Sequence, residues 1–173
     1  MREIFLLTAA LSLSCAAHAQ HNLEEAKKEF PDLRILAPAQ LRTLPPAVRE
    51  DLARRGCKVP IFTKWDGAHN AIRGQFARAG QQDLAVLCLN GDDMSILVYW
   101  GGAVDKAEET RKFAANALRM IHSVTPFVLK KRAIRDEAVE RLPDFDHDAI
   151  EDGPVGGHAE TVYFQDGQWL TIF

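Results

Sequence analysis

The chain has little of what marks most enzymes and membrane proteins, and each shortage removes a class. Its longest apolar run, Ile4 to Leu13 broken by Thr8 and Ser12, is about half the roughly 20 residues needed to span a bilayer, so no membrane anchor is expected. Basic residues never gather densely enough to track a phosphate backbone. The tightest group, Lys130-Lys131-Arg132, is followed closely by Asp136 and Glu137, and the net charge is −3. Nucleic acid is therefore not expected as a partner. Serine is scarce: past residue 19 only Ser95 and Ser123 remain, and neither sits in a GxSxG elbow. There is no HExxH and no CxxC, and no Gly-rich loop leads from strand to helix in a phosphate-binding pattern. Gly101-Gly102 and Gly156-Gly157 read as turns. No catalytic constellation is recognisable.

What the chain does carry begins with an export signal. Met1-Arg2-Glu3 precedes the short apolar core, and small residues follow, ending in Ala17-His18-Ala19. That pattern places signal-peptidase cleavage after Ala19, makes residues 1–19 a signal peptide, and puts the mature protein in the periplasm or outside the cell. Lipidation at Cys15 fits poorly, because Ser12-Leu13-Ser14 lacks the usual aliphatic-x-small approach. Loss of the leader leaves Cys57 and Cys88. Two thiols in an oxidising compartment most simply form one disulfide. It would close a loop of about 30 residues and stabilise by about 3–4 kcal/mol.

Residues 20–43 read as a mobile N-terminal arm with a helical turn near Leu23 to Lys28, and residues 44–173 as a single domain. Pro45-Pro46, early acids, late arginines and Gly56 mark a helix that ends beside Cys57. Leu84 to Leu89 is apolar at every position, as a strand buried on both faces would be. Asn90-Gly91-Asp92-Asp93 turns the chain into a second strand, Ser95 to Trp100. Ile72 to Ala77 supplies a third. Lys106 to His122 holds good helix formers with apolar residues at 107, 113, 114, 117, 118 and 121, which predicts an amphipathic helix stopped by Pro126. Phe127 to Leu142 reads as a short strand and then a helix from Asp136. A last hairpin runs through Thr161 to Phe164, a turn at 165–168, and Trp169 to Phe173. The sum is an α+β domain of antiparallel β-hairpins with two or three packed helices and one disulfide.

The densest acidic cluster runs from Asp144 to Gly153. Asp144, Asp146 and Asp148 alternate as the first ligands of a calcium loop do, with Asp152 at the ninth position. Ala149 replaces the loop glycine and Val155 the closing Glu, so this is no EF-hand. Two readings stay open, a looser calcium site and a solvated acidic turn. His147 and His158 flank the cluster but do not complete a zinc set. His69, in Trp65-Asp66-Gly67-Ala68-His69, reads as a loop residue. A two-carboxylate hydrolase would draw on Asp66, Asp83, Glu151 or Asp152. Trp65, Tyr99 and Trp100 are candidate binding residues, because Trp and Tyr anchor interfaces. Tyr99 and Trp100 are neighbours in one strand, so they must face opposite ways.

Ile72-Arg73-Gly74-Gln75-Phe76-Ala77-Arg78-Ala79-Gly80-Gln81-Gln82-Asp83 with Leu84 to Leu87 resembles an FG-GAP or VCBS-type hairpin, the unit of many extracellular β-propellers. Gly74, Phe76, Gly80 and Asp83 match that family. Gln75, Ala77 and Ala79 stand where it has oxygen ligands, so the resemblance implies the strands but not calcium at this loop. The wider set also resembles small exported bacterial proteins of unassigned activity. It comprises Gly56-Cys57 with Pro60, Phe76 to Cys88, Ser95 to Trp100, Asp146-His147-Asp148 with Ile150-Glu151-Asp152, and Gly167 to Leu170. Some periplasmic lysozyme inhibitors use a related propeller-like architecture. The resemblance implies a non-catalytic binding protein, an inhibitor or immunity protein whose partner is an envelope protein such as a cell-wall lytic enzyme. The alternatives are a small carboxylate-dependent hydrolase of the envelope and an envelope protein stabilised by calcium.

Overall fold

A computed structural model describes residues 26–115, 118–133 and 143–172. The expected signal peptide, residues 1–19, falls outside them. Strands β1 (Leu33–Leu36) and β2 (Val59–Phe62) pair antiparallel and flank helix α1 (Pro46–Arg54) in sequence. Next come β3 (Ala71–Gly74), β4 (Asp83–Asn90), β5 (Asp93–Tyr99) and β6 (Ala107–Ala114), then β7 (Arg119–Val124), α2 (Pro126–Ala133), β8 (Ala149–Pro154), β9 (Glu160–Gln165) and β10 (Gln168–Thr171). They form two four-stranded sheets, ordered β3-β4-β5-β6 and β10-β9-β8-β7, with every neighbour antiparallel.

The continuous apolar run of β4 is explained by burial on both faces. Ala85, Leu87 and Leu89, with Ile96 and Val98 of β5, share a core with Met120, Ile150 and Val162 of the second sheet. Leu84, Val86 and Cys88, with Leu97 and Tyr99, turn the other way onto Val48 and Leu52 of α1. A third core, Val124, Leu129, Phe145, Ala149 and Tyr163, lies beneath α2. The Cys57–Cys88 disulfide joins the end of α1 to β4 with the two Cα atoms 5.0 Å apart. Both hairpins form where their turn residues place them: Gly91 takes positive φ (59°) between the paired Asn90 and Asp93, and Asp166 and Gly167 both take positive φ (52° and 81°).

Three expectations are corrected. The segment from Leu33 to Thr43 is not a free arm, since β1 pairs with β2 and Leu33 and Leu41 are buried. Lys106 to His122 is not a helix but two strands, β6 and β7. In β6, Ile96 faces Arg111 and Leu97 faces Glu109, so Thr110 is an extra, bulged residue. One added residue shifts a period of two so that half-buried positions fall at 107, 110, 111 and 113, which mimics helical spacing. Finally, Pro126 opens a helix rather than ending one: α2 occupies the place of the expected strand after Phe127, with Pro in its first turn. The helix expected from Asp136 lies outside the described residues.

Candidate functional site

The acidic cluster does not converge. Asp152 is fully buried on β8 and receives Arg111 of β6 at 2.5 Å and Arg119 of β7 through Nε at 2.8 Å. Arg111 also reaches Glu160 at 2.6 Å, and Arg119 lies over the Phe113 ring at 4.0 Å. Asp148 turns away to accept the backbone N–H of Gln75 at 2.9 Å. Asp146 is largely exposed; it accepts from the Tyr163 hydroxyl at 2.9 Å, and its carboxylate lies 2.6 Å from Nδ1 of His147. These bonds hold its carboxyl below the ordinary carboxylate range, the His147 contact most of all. Burial, reinforced by Asp146, pushes the Tyr163 hydroxyl up to about 12. Nε2 of His147 donates to the Phe164 carbonyl at 2.9 Å, which fixes that ring as a structural cross-link to β9. Asp144 is exposed. Among the described residues no three of His, Cys, Asp and Glu are arranged to hold a metal ion. The expected set of Asp144, Asp146, Asp148 and Asp152 is thus dispersed, because arginines and N–H groups from distant elements claim two of its members.

The carboxylates offered for hydrolysis fare similarly. Asp83 is buried and accepts from Ala77 N–H (3.0 Å), Gln81 Nε2 (2.7 Å) and Gly101 N–H (2.7 Å). It closes the loop between β3 and β4, and Gln75 completes that loop by accepting from Gly80 N–H. Glu151 pairs with Arg132 of α2. Asp66 lies exposed in the loop after β2. His69 is buried there: its Nε2 accepts from Phe62 N–H at 2.9 Å, and its Nδ1–H donates to Gly67 C=O at 3.3 Å. One surface cleft of about 140 Å³ lies beside the disulfide across β4, β5 and β6, and another of about 200 Å³ lies against α1. Both are smaller than the roughly 300–1,000 Å³ of ordinary small-molecule sites.

Aromatic residues, in contrast, do converge. Trp100, in the turn after β5, meets Phe164 of β9 with ring centres 4.7 Å apart and stacks on Trp169 of β10 at 5.7 Å. Phe164 and Trp169 are cross-strand partners at 5.3 Å. All three rings are half-buried at the seam between the sheets, and Trp100 Nε1 donates to Glu108 at 3.0 Å. Leu170, on the other face of β10, is 37% exposed. Trp65 is 51% exposed but stands in a separate loop. Tyr99, the third expected binding residue, is fully buried and donates to Asp51 at 3.0 Å, inside a cluster that includes Arg54 and Arg55. Burial first, and Asp51 second, raise its hydroxyl far above the usual value. It is a core residue. Sequence reasoning missed Phe164, although the turn at 165–168 already places it opposite Trp169. No family model, curated protein or solved structure matches the chain.

Proposed function

We propose that this chain is an exported, non-catalytic binding protein of the cell envelope, periplasmic or secreted, and that its partner is an envelope protein such as a cell-wall lytic enzyme that it inhibits. The observation that carries this reading is the contrast between carboxylates and aromatics. Asp83, Glu151 and Asp152 are each spent on arginine or N–H donors. Trp100, Phe164 and Trp169 form a half-open apolar cluster at the edge of the core, the composition of an interface anchor. The disulfide supports an oxidising compartment. The FG-GAP-like reading of residues 72–87 belongs to the same proposal; each four-stranded sheet pairs its strands in chain order, as a propeller blade does.

The test is a pull-down of envelope extract on the full chain, purified after export, in calcium and in chelator, with partners counted by mass spectrometry. One stoichiometric lytic enzyme is the expected result. Trp100→Ala with Trp169→Ala should weaken it about thirtyfold, the scale of an interface hot spot near 2 kcal/mol. Absence of any stoichiometric partner in both buffers would sink the proposal.

A further inference from the structure

Two of the four outer strands of the large sheets, β6 and β10, are built differently. β6 carries Glu108, Glu109, Arg111 and Lys112 and is bulged at Thr110. Charges and bulges are what keep an exposed strand from pairing with a foreign one. β10 reads Gln168-Trp169-Leu170-Thr171, with no charge, no proline and no break in its register with β9. Among the described residues it is nonetheless the terminal strand of its sheet.

The direction of its backbone groups follows from the ladder. Ile172 N–H donates to Thr161 C=O at 2.9 Å. Bonding alternates along an antiparallel strand, so Gln168, Leu170 and Ile172 spend their groups on β9. Trp169 and Thr171 therefore aim N–H and C=O outward, away from the sheet. Leu170, between them, holds its side chain 37% exposed.

We infer that β10 is the pairing edge for a second copy of this chain, aligned antiparallel about a two-fold axis through Leu170. In that register Trp169 of each copy meets Thr171 of the other, and about four new backbone hydrogen bonds satisfy every outward group. The same register sets Leu170 directly opposite Leu170 of the second copy, in the closer, non-bonded pair, so each covers the other's exposed apolar surface. An uncharged strand also brings no like charges together when it meets itself, whereas β6 would place four charges per copy on the seam. The two second sheets become one sheet of eight strands. This inference does not rest on the partner reading above.

Sedimentation velocity on the full chain, purified after export, tests it over the widest concentration range its solubility allows. The expected result is a concentration-dependent dimer at twice the monomer mass. Leu170→Lys, which opposes two ammonium groups, and Thr171→Pro, which deletes an outward N–H, should each give a monomer with an unchanged circular dichroism spectrum. A wild-type chain that stays monomeric throughout overturns the inference. So does a dimer that survives both substitutions while they remain folded. An edge filled by an extended segment of another protein, with the chain itself monomeric, overturns it too.

Discussion

His69 shows how a residue with no catalytic part can still set the pH range in which the protein is stable. Its neutral ring accepts the Phe62 N–H on one side and donates to Gly67 on the other. Burial, the largest cause, and the nearby His122 lower its pKa below the ordinary histidine value of 6.5, against an opposing effect of the Gly67 bond. A base held below its unfolded pKa contributes stability that is complete above about pH 6.5 and lost as pH falls through the depressed value. The melting temperature should therefore fall between about pH 8 and about pH 5, and His69→Gln should flatten that slope. A wild-type melting temperature indifferent to acid, or a slope retained in the variant, would contradict this account. The sequence shows His69 only among loop residues, because the strand that buries it, β7, lies some fifty residues further on. The acidic cluster misleads for the same reason. Alternate aspartates look convergent until Arg111 and Arg119 arrive from other strands. The disulfide is legible, since the expected loss of residues 1–19 leaves only Cys57 and Cys88 to pair.

Elements were readable where their signals are local. Pro46 and Gly56 bracket α1, and the turns at Gly91-Asp92 and Asp166-Gly167 fix two hairpins. β6 was not readable, because its bulge imitates a helical period and its Glu, Lys and Ala favour a helix in isolation. Pairing with β5 overrides that preference. The disulfide acts at this scale, tying the end of α1 to the central strand of the first sheet across a sequence separation of 31. Replacing Cys57 and Cys88 together by Ala should cost about 3–4 kcal/mol, the chain-entropy value for a loop of that length. A urea titration measures it. A midpoint unmoved by the double substitution would show that the bridge adds nothing to α1's own packing. Of the binding cluster, Trp100 and Trp169 stand out in the sequence as aromatics, but their meeting depends on how two sheets pack, which no local pattern encodes.

At the scale of the whole molecule the sheets are joined by charge as well as by core. Asp152 on β8 draws Arg111 from the first sheet and Arg119 from its own, and Glu160 steadies Arg111 from outside. Asp152→Asn would leave two partly buried guanidinium groups short of a counter-charge, a loss of about 3–5 kcal/mol by the scale of broken buried pairs. Chemical denaturation should register it; a loss under about 1 kcal/mol, on the order of a surface pair, would mean that Glu160 alone holds the arginines.

A second joint is smaller and stricter. Asn70 is fully buried at a positive φ of 62°. Its side chain donates to Pro60 C=O at 2.6 Å and accepts from Ile121 N–H at 2.9 Å. Its backbone N–H reaches Ile121 C=O at 3.2 Å, and its C=O accepts from Leu87 N–H at 2.8 Å. Strands β2, β4 and β7, one from each sheet, thus meet on a single residue. Four hydrogen bonds at one side chain and its own peptide groups couple the three sheets there. A shift of any one of these three sheets must therefore break a bond to the residue that the other two also hold.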